Sequence, residues 1–215
     1  KFSVLISIYF KENPVFFFLF LENIVNQTLL PDEIVLVKDG PLNDDLESVI
    51  NEFNLKSPNL FNIIELPVNK GLGNALRIGI LHCSNELVAR MDTDDICVLN
   101  RFEKQVAFLD INPDFDLVGS NVEEFNNFPG DLNRYRIMPE KGNQLIKYSK
   151  FRNPVNHPSV IFRKSKVLEA GNYKGDILLF EDFSLFIRML SKGSKFYNIQ
   201  EPLLYFRAGL GIDVI

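Results

Sequence analysis

The sequence predicts an α/β fold: a mainly parallel sheet flanked by helices, in one domain over residues 1–215. Three observations carry this. Short apolar runs without strict alternation recur through the first 120 residues, as strands covered on both faces require. A helix-like stretch follows each of four such runs before the next begins. Strands alternating with helices imply crossovers, and crossovers join parallel strands.

Each element has a local reason. Val4-Leu5-Ile6-Ser7-Ile8 is the first strand. Asn13-Pro14 then supplies a helix cap and first helical position, and the helix runs to about Gln27 before Pro31. Glu33-Ile34-Val35-Leu36-Val37-Lys38 is the second strand and stops at Asp39-Gly40-Pro41. Asn43 or Asp44 caps a helix to about Asn54. Residues 61–66 form a third strand, 67–73 a loop and 73–82 a helix. Residues 86–91 form a fourth strand, 98–110 a helix and 117–120 a fifth strand. Beyond this point residues 126–142 read as a polar loop and 157–162 as a strand. Residues 164–170 and 181–191 read as helices, and 195–205 as one or two short strands around Pro202.

Composition narrows the function. Of 215 residues, 46% are apolar and 24% charged, an ordinary globular balance. The 23 Lys+Arg against 28 Asp+Glu leave a net charge of −5, which argues against a nucleic-acid binder. Taken alone, the same count disfavours phosphate-bearing ligands. Cys83 and Cys97 make neither a disulfide framework nor a zinc set, and suit buried, reduced thiols in a cytoplasmic protein. There are 20 Phe and no Trp, and the longest apolar run, Val15-Phe16-Phe17-Phe18-Leu19-Phe20-Leu21, is far short of the roughly 20 residues that cross a membrane. No signal peptide and no transmembrane segment is read in this chain. The chain opens on Lys1 without Met and ends soon after Arg207, so truncation is expected.

Open parallel sheets bind ligands at the carboxyl ends of their strands. Ser7 and Tyr9 close the first strand, Asp39 the second, and Asp92-Thr93-Asp94-Asp95 the fourth. Three carboxylates within four residues either raise a pKa or hold a hard cation such as Mn²⁺ or Mg²⁺. The competing reading is an Asp-rich turn that caps the next helix. With Asp39 at another strand end, the metal reading is favoured. Asn69 to Gly73 is a phosphate cradle or a simple loop-to-helix junction, and it is no P-loop. Arg77, one helical turn on, reaches an anionic ligand or only solvent. Glu181-Asp182 opens an apolar helix stripe, where acids favour the helix dipole or supply a general base. His157 is a candidate ligand or a structural hydrogen-bonder.

Together these segments resemble the family 2 glycosyltransferases of the GT-A type, a Rossmann-like fold. The likeness lies in Ser7-Ile8-Tyr9, Asn26-Gln27-Thr28, residues 33–40, Asn69-Lys70-Gly71-Leu72-Gly73-Asn74-Ala75-Leu76-Arg77, Met91-Asp92-Thr93-Asp94-Asp95, and Glu181-Asp182 with Leu185 and Arg188. Six motifs in the right order are specific. Two positions depart: Phe10 replaces the family's Asn after the first Tyr, and Lys38 replaces the first Asp of Asp-Asp-Gly.

The resemblance implies roles. Ser7, Tyr9 and Asp39 hold the nucleoside, and Arg77 the base or phosphate. Asp92, with Thr93, meets the ribose. Asp94 meets a divalent metal, Mn²⁺ or Mg²⁺, with Asp95 and His157 near it. Asp182 is the catalytic base and Glu181 its neighbour. The implied reaction is inverting transfer from a nucleotide sugar, UDP-linked foremost, to a saccharide or lipid-linked saccharide acceptor in cell-surface polysaccharide or lipopolysaccharide synthesis. Residues 1–120 would bind the donor and 121–215 would supply the base and the acceptor site. The expected location is cytoplasmic, with a peripheral place at the inner face of the membrane as an option. The alternatives are an inactive sugar-nucleotide binder of the same fold and a metal-dependent nucleotidyltransferase.

Overall fold

Successive side chains of a strand point to opposite faces, and here both faces are apolar. In the computed structural model, which describes residues 1–176 and 179–208, Phe2–Ile8 form strand β1. Val4, Ile6 and Ile8 enter one core while Leu5 enters another. Helix α1 (Pro14–Val25) follows, and the Asn13 side chain accepts from the backbone N–H groups of Val15 and Phe16. Its buried Phe17, Phe20, Leu21 and Ile24 stand at helical spacing. Strand β2 (Glu33–Lys38) splits like β1, with Ile34 and Leu36 in the first core and Val35 and Val37 in the second.

Helix α2 (Asp44–Lys56), strand β3 (Phe61–Glu65), helix α3 (Leu72–His82) and strand β4 (Leu87–Arg90) continue the alternation. Then come β5 (Ile96–Cys97), α4 (Arg101–Ile111), β6 (Leu117–Phe125), β7 (Arg134–Arg136) and α5 (Gly142–Tyr148). The chain closes with β8 (Ile161–Arg163), α6 (Lys164–Glu169), α7 (Glu181–Ser191) and β9 (Phe196–Arg207). Helices α1, α2 and α4 cover the first core, and α3, α6 and α7 the second. The sheet is therefore the middle of three layers, and each fully buried large apolar side chain contributes about 1.5–3 kcal/mol.

The strand order is β3-β2-β1-β4-β8-β6-β9-β5, with β7 beside β6. The long registers are parallel: β1 with β2 and β4, β2 with β3, and β6 with β9. The antiparallel β8 separates β4 from β6. The fifth predicted strand is thus not a direct neighbour of the first four.

Several elements differ from the sequence reading. Helix α4 begins at Arg101 rather than residue 98, because Ile96 and Cys97 pair with Tyr205 and Leu204 on β9 and the Val98 N–H donates to the Leu203 carbonyl. The fifth strand runs on to Phe125, and β7 and α5 stand in or beside the stretch read as loop. Residues His157–Ser159 are a 3₁₀ turn, so the strand there is only Ile161–Arg163. The last segment is one strand with register shifts opposite Pro202, which lacks an N–H to donate. The tail after Ala208 lies outside the described residues. Both cysteines are buried and free. Among the described residues no helix is long and apolar enough to cross a membrane.

Candidate active site

Parallel pairing aligns the carboxyl ends of β1, β2 and β4, and the loops after them meet. Asp39 is buried there. Its carboxylate accepts from the backbone N–H groups of Lys70 and Gly71, both at 2.9 Å. This fixes the loop before α3 against the end of β2. Gly40 makes the close approach possible: its φ is +88°, and a Cβ there would lie 2.7 Å from the Asn69 nitrogen.

The result is a cleft of about 430 Å³ lined by Ser7, Tyr9, Glu12, Asp39, Asp92, Thr93 and Asp94, with Asn69, Gly71 and Leu72. Six of the sequence-predicted residues therefore share one wall. Arg77 is not in that lining; its guanidinium donates to the Asn74 side chain at 3.0 Å. Asp95 is fully buried behind the wall, one oxygen accepting from the Arg207 N–H at 2.9 Å and the other without a partner.

The carboxylates are unequally compensated. Asp92 is gripped by Arg90 at 2.6 and 2.9 Å, a two-pronged pair. Asp94 has no such cation on its carboxylate among the described residues, and burial and the Asp92 charge hold its pKa above the ordinary carboxylate range. Burial, Asp94 and Asp92 push Glu12 up to about 7, against a hydrogen bond from Thr93. Burial, with Asp92 and Asp94 beside it, also raises Asp95 well above its usual value. Among the described residues no three His, Cys, Asp or Glu side chains converge as a ready metal cage. The donors are nonetheless hard oxygens with uncompensated charge, and such a set fits a divalent ion that keeps most of its ligands from water or substrate phosphate.

A second cleft, of about 700 Å³, shares Asp92 and Leu72 with the first and extends to Arg90, His157, Glu181 and Asp182. Asp182 stands in the first turn of α7, where free helix N–H groups favour an anion. It accepts from the Phe183 N–H and from the Asn153 side chain, both at 2.6 Å. Burial raises its pKa, opposed by the Phe183 amide and by Arg90. Burial likewise raises Glu181, with Asp182 adding to it. His157 lies here rather than beside Asp94. Its Nε2 is 3.0 Å from the Tyr173 hydroxyl and its Nδ1 is 3.7 Å from Asp182. Burial, with Arg90 near, keeps the ring neutral by lowering its pKa.

A family model described as glycosyl transferase family 2 matches residues 3–168. The chain belongs to glycosyltransferase family 2. It is 44% identical to an uncharacterised glycosyltransferase of Haemophilus influenzae over 99% of this chain and 78% of that protein. It is 40% identical to the amylovoran biosynthesis glycosyltransferase AmsE of Erwinia amylovora, over 97% of this chain and 76% of the relative. It is also 40% identical to the UDP-Gal:α-D-GlcNAc-diphosphoundecaprenol β-1,3-galactosyltransferase of Escherichia coli, over 96% and 74%. Among solved structures, S. aureus TarS 1–349 in complex with UDP-GlcNAc aligns with a TM-score of 0.77 at 18% identity, over 99% of this chain and 60% of that one. The mannosyltransferase PcManGT of Pyrobaculum calidifontis, in complex with GDP-Man and Mn²⁺, aligns at 0.72 and 19%, over 99% and 58%. The fold is accordingly α/β of the GT-A type.

Three residues of this glycosyltransferase's clefts escaped the sequence reading. Glu12 lies three residues past Tyr9, just before the cap of α1, and only the folding of its loop brings it to the cleft. Asn153 carries no local signal, and its bond to Asp182 depends on a partner 29 residues away. Arg90 did carry a signal, since an arginine inside the apolar run of β4 must find a partner when buried.

Proposed function

We propose that this glycosyltransferase transfers a sugar from a nucleoside-diphosphate sugar, a UDP-sugar foremost, to a saccharide hydroxyl with inversion, in the synthesis of a cell-surface polysaccharide or lipopolysaccharide. The observation that carries the reading is the shared wall: Asp92 and Leu72 line both the Asp39–Asp94 cleft and the Asp182 cleft. A donor in the first cleft would have its sugar beside the base in the second. Relatives named for amylovoran biosynthesis and for a galactosyltransferase support the pathway class. The UDP-GlcNAc and GDP-Man complexes support the donor class.

In this reading residues 1–120 form the donor half and 121–215 the acceptor and base half of one domain. Ser7, Tyr9 and Asp39 take the nucleoside, Arg77 supports the α3 start beneath it, and Asp92 with Thr93 takes the ribose. Asp94 would hold a divalent metal, Mn²⁺ or Mg²⁺, with Asp95 bracing its loop. When bound, that ion would offset charge on the departing diphosphate. Asp182 takes the proton from the attacking hydroxyl; burial raises its pKa and so strengthens it as a base, and the Phe183 amide and Arg90 oppose that rise. Neutral His157 and Asn153 orient it, and Glu181 contacts the sugar or acceptor. A peripheral place at the cytoplasmic face of a membrane suits this role.

The test is Asp182→Asn. Transfer should fall by roughly 10³-fold, within the usual span for a lost general base, while UDP affinity stays within about twofold. An active variant would move the base elsewhere. Donor binding by the wild type without release of nucleoside diphosphate would instead support a binding protein.

A further inference from the structure

The Asp182 cleft runs on into a second depression. Ile137, Met138 and Tyr148 line the cleft and also line a groove of about 680 Å³ that adjoins it. Residues 137–140, one face of α5 and Gln200 form this groove. Residues 137–140 follow β7 without regular structure, yet they are firmly held. The Met138 N–H donates to the Asn121 side chain at 2.9 Å, and the Asn198 side chain donates to the Pro139 carbonyl at 2.8 Å. The Asn198 N–H donates to the Glu140 carbonyl at 2.7 Å, and the Gln200 side chain donates to the Met138 carbonyl at 3.1 Å. Asn121 and Asn198 are buried. Two buried amides committed to an irregular segment make a fixed floor out of it.

Helix α5 supplies the other wall. Its buried Leu145 roots it in the second core. Gln144 and Tyr148 stand one helical turn apart, about 5.4 Å, the span of one pyranose ring. Lys147 stands beside them. The side chains of Gln144, Lys147 and Tyr148 have no hydrogen-bond partner among the described residues. The chemistry of the lining is mixed. Glu140 and Lys147 bring one charge of each sign, and the two glutamines bring amides that can both donate and accept. Ile137, 62% exposed, and the Tyr148 ring add apolar faces. A neutral sugar has the matching pattern, with hydroxyls around its rim and C–H groups on its face. A phosphate would find no net positive charge here. An alkyl chain would strip water from the polar side chains without replacing their hydrogen bonds.

We propose that this groove is a second acceptor subsite, which takes the next neutral sugar of a glycan whose terminal ring lies at Asp182. Gln144, Lys147 and Glu140 bond the hydroxyls of that second ring, and Tyr148 and Ile137 pack against its face. The acceptor is then a growing glycan of two rings or more, and a single sugar fills only half of its site. This rests on the reading of Asp182 as the base.

The experiment uses a printed array of neutral glucose, galactose, mannose and N-acetylhexosamine glycans of one to four rings, probed with the protein saturated with UDP and Mn²⁺. The tightest two-ring glycan is then titrated calorimetrically beside the methyl and octyl glycosides of its terminal sugar. It should bind roughly tenfold more tightly than the methyl glycoside, as one or two added hydrogen bonds would give. The double variant Gln144→Ala, Lys147→Ala should remove most of that difference. Both positions are exposed, so the variant should fold and bind UDP as the wild type does. Three results would each overturn the proposal: no glycan bound on the array, one and two rings bound equally, or a two-ring preference untouched by the double variant. An octyl glycoside as tight as the two-ring glycan would also overturn it, giving the groove to an alkyl chain. A flat length series with an inactive Asp182→Asn loses this proposal alone. An active Asp182→Asn loses the reading beneath it, whatever the length series shows.

Discussion

Among the acids of the first cleft, Asp92 is neutralised by Arg90 while Asp94 is not. Asp94 is therefore the side chain whose removal should reveal the cation. UDP with Mn²⁺ should raise the melting temperature more than UDP alone, since a ligand at about a hundred times its Kd adds about 2.7 kcal/mol. Asp94→Ala should erase the difference between the two conditions in a thermal melt. Glu12 makes a prediction about pH. Its folded value of about 7 lies above the ordinary 4.5. Between those values the folded protein keeps a proton that the unfolded chain has released, so stability falls as pH rises through the window. Below it both states are protonated and the contribution is complete; above it the contribution is lost. Metal-free melts at pH 5 and pH 7.5 should differ by about 1–2 kcal/mol after solvent screening is allowed for, and Glu12→Gln should flatten the slope. Some slope should survive, because Asp94 and Asp182 are shifted in the same direction. Asp39, Asp92, Asp94 and Asp182 were legible in the sequence because they stand at strand ends or a helix start. Glu12 and Asn153 were not, because their importance comes from which loops fold against them.

At the scale of elements, legibility followed locality. Residues 33–38 and 181–191 were read with their true bounds, since a continuous apolar run and a stripe at helical spacing need no distant partner. Ile96 and Cys97 became a strand only because β9 lies alongside, and Arg134–Arg136 only because β6 does. The junction after β2 is equally non-local. Gly40 is pressed against the backbone of the loop before α3, and its positive φ disfavours any side chain. Gly40→Ala should cost about 1–3 kcal/mol in a denaturant melt and weaken UDP binding together with it, because the same shift would pull Lys70 and Gly71 away from Asp39.

Across the whole molecule, the C-terminal strand is tied to the cleft between Asp39 and Asp94. The Arg207 backbone donates to Asp95, its Nε donates to the Asp94 carbonyl, and its guanidinium lies between the rings of Phe16 and Phe125 at 3.8 and 4.4 Å. Arg207→Ala should lower stability by roughly 1–2 kcal/mol and weaken UDP–Mn²⁺ binding several-fold, although Arg207 is not in the lining of that cleft. The net charge of −5, which alone spoke against phosphate ligands, is redistributed by the fold: acids gather where a cation would carry the diphosphate, and arginines gather on the far wall of the neighbouring cleft.

Arg90 has one further consequence. It is fully buried, grips Asp92 where the two clefts meet, and lowers the pKa of Asp182 in the second cleft against the effect of burial. A single buried charge is thus felt by carboxylates in both clefts, paired with one and acting on the other only through space. Were a ligand in one cleft to displace that guanidinium, the effect on the other cleft would be reciprocal: whatever factor the first ligand imposes on the second, the second imposes on the first.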